Sequence, residues 1–408
     1  MDLLEAGLRQ ALFRDGARMI ESLLNDPLYQ GAAPQVLPGE KCYHRRGKTV
    51  ETLFGEVHLL RDYIVSKDGG SRVPLDQSLG LIEGYSPGLA KMMARMAAQE
   101  SFESGSKDLF FYAGVRVGPQ AIARMAQLVS PQMRQAQSRV VAAPPPASIP
   151  VLYVEADGTG VPVRKSEAQG RKAKNGEGDA KTREVKLGAI FTQSSLDTEG
   201  KPLRDPDSTS YVGTFLCSED FGALLRREAF ARGYDRAEKT VYLGDGAPWV
   251  WEVARINFPQ ATCILDFYHA AEHLSLLSES LYGADPERAK SQAKLWRDML
   301  LEDRLQDVLA RARADLPDIP TPRQEAEKQI AYFETNSSRM AYATFRAQGF
   351  FIGSGVIEAG CKTVVAKRFK NSGMFWSLQG AQNVLDLRTS LLSNRFDSQW
   401  SARNQIAA

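Results

Sequence analysis

Between residues 151 and 274 the chain alternates short apolar runs with amphipathic ones, and that alternation restricts the possible fold more than any other feature. VLYVEAD (151–157), VKLGAIFTQ (185–193) and SYVGTFL (210–216) are β-branched and aromatic runs, the pattern of buried strands. A helical stretch follows, from the capping residue Ser218 to a stop at Gly233. TVYLGD (240–245) predicts a fourth strand before a helix opening at Pro248. TCILDF (262–267) predicts a fifth, running into the helix HAAEHLSLLSESL. Three strands and then strand–helix repeats predict an α/β layer on a mixed sheet.

The rest of the chain is organised around this layer. A chain of 408 residues exceeds the ~250–300 residues at which one core stops growing, so two or three domains are expected. APPPASIP at 143–150 reads as a semi-rigid linker. Before it, Leu3–Leu24 predicts an amphipathic helix with Leu4, Leu8, Leu12, Met19 and Leu23 on one face. A hairpin with a turn at Phe54-Gly55-Glu56 and a helix from Pro87 come next. Residues 104–112 predict a short helix that Gly114–Gly118 joins to PQAIARMAQLV. That is the outline of a helix-turn-helix, and equally of a plain helical hairpin. Residues 285–348 are helical and charged, an insertion broken at LPDIPTP (316–322), after which Gly353-Ser354-Gly355 precedes a long helix.

Asp157 and Asp245 each close an apolar strand and are followed by glycine. In open α/β sheets ligands bind outside the carboxyl ends of strands, so these acids are candidates for one site. Each also reads as a turn or cap residue. Glu358, just beyond the Gly-Ser-Gly break, is a candidate third acid, or a surface partner of Lys362 one turn on. Glu155, on the same strand face as Asp157, is the other candidate for the third acid. Clustered carboxylates either raise a pKa or hold a cation. Asp266, His269 and His273 are spaced D-x2-H-x3-H, and the chain has only four histidines. Ala270 stands where a zinc hydrolase carries glutamate, so helix capping by Asp266 with a hydrogen bond to His269 is the default expectation.

A net charge of +2 argues against nucleic acid, but the bases are clustered. KCYHRRGK (41–48) contains Arg45, Arg46 and Lys48 and no acid. Residues 164–183, with Arg171, Lys172 and Lys174, hold seven bases against three acids, a net +4. Arg116 and Arg124 lie in and after the glycine turn. KTVVAKRFKNSGMFW (362–376) interleaves Lys362, Lys367, Arg368 and Lys370 with Phe375 and Trp376, as phosphate neutralisation and base stacking require. Trp376 is a candidate for stacking on an unpaired base, or a core tryptophan. No apolar run approaches the ~20 residues of a membrane span, and the N-terminus lacks the pattern of a targeting segment. Four scattered cysteines without a CxxC pair fit a reducing cytoplasm.

DGTGVPV (157–163), YLGDGAPWVW (242–251) and DFYHAAEHL (266–274) resemble the catalytic core of DDE transposases. With the block from Gly353 to Arg388, the chain is most similar to the Kra-type insertion-sequence transposases of bacteria, a group akin to the Mutator-like families. The resemblance spans about 150–390 strongly and 36–130 more weakly. It implies a ribonuclease H-like fold interrupted by a helical insertion. It implies that Asp157, Asp245 and Glu358 hold two Mg²⁺ ions, with Mn²⁺ as a substitute, and that Asp266 and His269 lie near the active site. The implied reaction is nicking at transposon ends, then attack of the freed 3′-hydroxyl on target DNA. Relatives carry paired cysteines in the N-terminal β region; here only Cys42 remains, so zinc is not expected.

The full expectation is an α/β protein with five segments. Residues 1–142 form an α+β DNA-binding region and 143–150 a linker. Residues 151–284 and 349–395 form the ribonuclease H-like core around the insertion at 285–348. Its partners are double-stranded DNA, both terminal inverted repeats and target, and further copies of the chain, at least a dimer on DNA. Its place is the bacterial cytoplasm and nucleoid, with no membrane partner. Two alternatives stand: an idle DNA-binding descendant of such an element, and a hydrolase with its metal at Asp266, His269 and His273.

Overall fold

In a computed structural model, which describes residues 1–31, 34–137, 148–172 and 178–404, the chain divides into two units. One comprises Met1–Val140, Asp386–Leu391 and Arg395–Ala408, the other Val141–Leu385 and Leu392–Asn394.

In the first unit the helix Asp2–Asn25 precedes a long hairpin, Glu40–Thr52 and Gly55–Ser66. The expected apolar stripe of that helix is not its packed face. Leu4, Leu8, Leu12, Met19 and Leu23 are all exposed, and Ala17, Ile20 and Leu24 pack instead against Val50, Val57 and Leu59 of the hairpin. These three also recur at helical spacing, and a small residue among them admits a sheet more closely than a row of leucines. The helices Pro87–Gln99, Phe102–Asp108 and Pro119–Gln137 enclose a core of Leu89, Met93, Ile122, Met125 and Val129. Ser86 and Ser101 cap the first two. The predicted helix at 104–112 begins earlier and ends in a π-helical turn, Leu109–Ala113, stopped by Gly114 at φ +73°.

The end of the chain belongs to this unit, beyond what the expected boundary at 395 provided. Leu387, Phe396 and Trp400 enter the same apolar core, and the buried Arg388 donates to the carbonyl of Ala98 at 2.6 Å. Long-range packing of this kind leaves no local signal in sequence.

The second unit is built on a five-stranded sheet. Its spatial order is Thr262–Leu265, Ala237–Gly244, Ile149–Pro162, Thr182–Gln193, Ser210–Thr214. The first three strands are mutually parallel; Thr182–Gln193 runs opposite to them and pairs antiparallel with both of its neighbours. The mixed sheet predicted from the alternation is therefore present. Val151 and Tyr153 of the central strand enter the core shared with the insertion helices, while Leu152 and Val154 enter the opposite face. Coverage on both faces explains its continuous apolar reading.

Two boundaries differ from expectation. The central strand starts at Ile149, so the last two residues of the expected linker are strand, and residues 143–147 lie outside the described ones. The strand also continues past Asp157 to Pro162. Asp157 marks only the end of its parallel pairing, because Ala156 is the last residue matched to the neighbouring strand, at Gly244. The antiparallel neighbour runs on, pairing Gly158 with Lys186 and Pro162 with Thr182.

The insertion is helical as predicted: Pro286–Leu300, Leu305–Ala314, Pro320–Asn336 and Tyr342–Ala347. The expected long helix after Gly353 is composite. Gly355–Gly360 passes into a π-helical turn, Cys361–Ala366, then Lys367–Phe369. No helix among the described residues is long and apolar enough to cross a membrane.

Candidate active site

Register alone aligns three acids. Gly244 is matched to Ala156 on one side and Leu265 on the other, so Asp157, Asp245 and Asp266 each stand one residue past the same level on three adjacent parallel strands. Each is locally anchored. Asp157 Oδ1 accepts from Gly158 N at 2.6 Å and Oδ2 from the Cys361 thiol at 3.2 Å. Asp245 Oδ1 accepts from Ala247 N at 3.0 Å, across a turn in which Gly246 adopts φ +97°, open to glycine and strained for other residues. Asp266 Oδ1 caps the following helix through His269 N at 2.8 Å and faces His269 Nδ1 at 3.3 Å, the capping arrangement expected from sequence.

Glu358 reaches this level on a separate segment, which two buried carboxylates hold in place. Asp266, fully buried, accepts Ser354 N on Oδ2 at 2.5 Å. Glu155, also fully buried, accepts Ile357 N on Oε2 at 2.6 Å. Phe267 N donates to Ile352 O at 2.9 Å beside them. Glu155, a candidate acid from its shared strand face with Asp157, here holds the Glu358 helix through Ile357 N. Ligand atoms of Asp266, His269 and Glu358 lie within 4.8 Å of one another. Among the described residues Asp157 and Asp245 do not join that tight set, though they face each other's charge.

His273 does not complete a ligand set with Asp266 and His269. Its Nδ1 lies 2.6 Å from Gln329 Oε1, and its ring stacks on Tyr332 at 3.6 Å between centroids. The ligand set of the hydrolase alternative is therefore not formed among the described residues. Tyr332 in turn donates to the Asp245 carbonyl at 3.3 Å, and Tyr342 to the Leu265 carbonyl at 3.0 Å. The insertion helices so brace two of the three strand ends. Sequence reasoning missed both tyrosines, whose positions among helical residues announce nothing about a strand far away.

The electrostatics follow from crowding. Burial raises the Asp157 carboxyl, with Asp245 adding repulsion against the Cys361 hydrogen bond. Burial pushes Glu155 up to about 8, against the Ile357 N–H and with Asp266 and Glu358 adding to the rise. For Asp266 burial is outweighed by its hydrogen bonds from His269 and Ser354, and its carboxyl is lowered. The Asp266 hydrogen bond raises His269 to about 9. Burial, with Asp157 adjacent, raises the Cys361 thiol.

These residues suit a hard divalent cation. The carboxylate oxygens of Asp157, Asp245 and Glu358 are donors of the kind that Mg²⁺ and Mn²⁺ accept. Glu155 Oε1 is buried without a hydrogen-bond partner beside them.

The candidate DNA-contacting residues divide sharply. Arg45, Arg46, Arg116, Arg124, Arg171, Lys172, Lys362, Lys367 and Lys370 are exposed. Within that group Arg124 pairs with Glu83, Arg116 lies over the Phe110 ring and Lys370 Nζ donates to Thr159 Oγ1 at 2.7 Å. Lys48 is half-buried and paired with Asp76 at 3.1 Å. Lys174 lies outside the described residues. Arg368 and Trp376 belong to the core. Arg368 is fully buried over the Trp376 ring, and Trp376, 9% exposed, donates Nε1–H to Phe369 O at 3.2 Å. Trp376 is therefore the core tryptophan of the two readings, and the exposed aromatic beside it is Phe375. Alternating burial along this segment is invisible in a count of bases and aromatics.

No protein-family model matches the chain, and no curated protein matches it. Among solved structures, the Drosophila P element transposase strand transfer complex is similar at a TM-score of 0.28 and 8% identity, over 76% of this chain and 79% of that one. At that distance the functional reading rests on the site's own residues.

Proposed function

We propose that the chain is a Mg²⁺-dependent DDE transposase with a ribonuclease H-like core. The observation that carries the reading is the row Asp157, Asp245 and Asp266 at one level of three parallel strands, with Glu358 held beside it by Asp266 and Glu155. The strand order, with three antiparallel strands first and two parallel ones added beside the first, supports the fold assignment.

In this reading Asp157, Asp245 and Glu358 are the metal ligands, with Mn²⁺ an acceptable substitute for Mg²⁺. When bound, the ions supply activation of the attacking oxygen and stabilisation of the leaving one in an in-line displacement. The protein's own contribution is position and charge. Glu155 and Asp266 fix the Glu358 segment through its backbone N–H groups. His269, raised to about 9 by its hydrogen bond with Asp266, carries a proton beside Asp266 at neutral pH. Lys362, Lys367 and Lys370 offer exposed charge to the DNA backbone. Residues 1–142 read the terminal inverted repeats, and joining two ends requires at least two chains.

Strand transfer on DNA carrying the element's ends tests this reading. Activity should require Mg²⁺ or Mn²⁺ and fall to background in Asp157→Ala and Glu358→Ala. Activity that survives chelation and Asp157→Ala rejects the mechanism. DNA binding without cleavage under any metal favours the idle descendant.

A further inference from the structure

A second group of metal-ligating side chains lies in the hairpin of the first unit. Cys42, His44 and Asp62 bring one ligand atom each within 4.8 Å of one another. The hairpin register explains how. Tyr43 is matched to Tyr63 and Arg46 to Arg61, so His44 and Arg45 together oppose Asp62 across a β-bulge. Cys42 and His44, two residues apart, share a strand face, and the bulge turns the imidazole toward the opposite strand. Arg45 takes up the extra residue at φ +51°.

Two of the separations are close to those of ligands around one ion. Cys42 Sγ lies 3.6 Å from His44 Nδ1, and the same Nδ1 lies 3.2 Å from Asp62 Oδ2. Tetrahedral zinc with bonds of ~2.3 Å to sulfur and ~2.0–2.2 Å to nitrogen and oxygen separates its ligand atoms by roughly 3.4–3.6 Å. The other carboxylate oxygen, Asp62 Oδ1, accepts Arg45 N at 3.1 Å, the kind of outer hydrogen bond that orients a ligating carboxylate. The expectation against zinc rested on a single cysteine. Thiolate, imidazole and carboxylate on one bulge are a mixed set that favours zinc over Mg²⁺.

We propose that Cys42, His44 and Asp62 bind one zinc ion, with the fourth position left to solvent. The ion ties the two strands together at the bulge and fixes the course of the basic segment through Arg45 and Arg46. This site is separate from the acidic row and does not depend on the transposase reading.

Cobalt replacing zinc reports a thiolate ligand directly. The full-length chain carrying Cys361→Ser, which removes the thiol beside Asp157, is titrated with Co²⁺. It should develop thiolate-to-metal charge-transfer and tetrahedral visible bands that saturate at one equivalent, and Zn²⁺ should abolish them. Cys42→Ser should lose the charge-transfer band, and His44→Gln and Asp62→Asn should each weaken affinity by about tenfold or more. Glu358→Ala should leave the bands intact. Absence of the bands in the parent, or their persistence in Cys42→Ser, overturns the site. Should Cys42→Ser fold poorly, melting decides: Zn²⁺ should raise the parent's Tm but not that of His44→Gln, and an equal rise in both overturns the proposal.

Discussion

The Asp266, His269 and Glu358 group and the hairpin cluster are both small sets of side chains of metal-ligating type, yet they are assembled in opposite ways. Asp266, His269 and Glu358 come from segments some ninety residues apart, and two fully buried carboxylates clamp Glu358 into place through backbone N–H groups. Cys42, His44 and Asp62 come from two strands of one hairpin, and a single bulge brings them together. Long-range assembly has to hold a segment against its own conformational freedom, which requires desolvated hydrogen bonds whose loss is costly. A local site needs only a change of register, so none of its ligands is fully buried, and the His44 side chain is 67% exposed.

The comparison breaks most decisively at the two aspartates. Asp266→Asn leaves one of its buried hydrogen bonds without a proper acceptor, and the metal-free chain should lose about 1–3 kcal/mol. Asp62→Asn should change the stability of the metal-free chain by less than about 0.5 kcal/mol. Chemical denaturation of both variants measures this, and equal losses would remove the distinction. The same Asp266→Asn variant should also move the His269 titration, followed by NMR, from about 9 toward 6.5. The sign follows from the direction: a raised imidazole pKa stabilises the fold below 6.5, and that contribution disappears as pH rises through about 9.

Glu155 sharpens the comparison further. Its folded pKa of about 8 lies above the ordinary 4.5, so the metal-free chain should be more stable at low pH. It should lose that stability as pH rises from 4.5 through about 8. Glu155→Gln keeps an acceptor for Ile357 N–H and should flatten the profile in this window. An unchanged slope in denaturation experiments across these pH values would show that burial of Glu155 is not what couples the clamp to protons.

The smallest effect has opposite signs at the two sites. Gly246→Ala places a side chain at φ +97° and its Cβ 2.6 Å from the Tyr332 hydroxyl, and should cost about 1 kcal/mol or more. Arg45→Gly relieves a left-handed arginine at φ +51° and should stabilise the metal-free hairpin by up to about 1 kcal/mol. Thermal melts distinguish the two directions.

Much of the second unit was legible along the chain. Apolar runs of strand length, set among helical stretches, predicted the five strands of the main sheet, because a strand buried on both faces must be apolar along its length. The row of aspartates was partly legible, since each follows such a run. Its alignment was not, because register is a property of pairs of strands. The N-terminal helix shows the opposite case: its leucine stripe was the strongest periodic signal there, and the folded chain leaves it exposed.

The sequence by itself determined which residues are strand and helix in the α/β layer, where its acids fall relative to strand ends, and where basic charge gathers. These follow from local periodicity and from the conformational preferences of a few residues. Only the tertiary structure decided that Glu358 meets Asp266 and His269, that Arg368 and Trp376 are core, and that Cys42 has His44 and Asp62 as neighbours. Each of these depends on which surfaces exclude water together, and burial between segments distant in the chain has no signature in either segment alone.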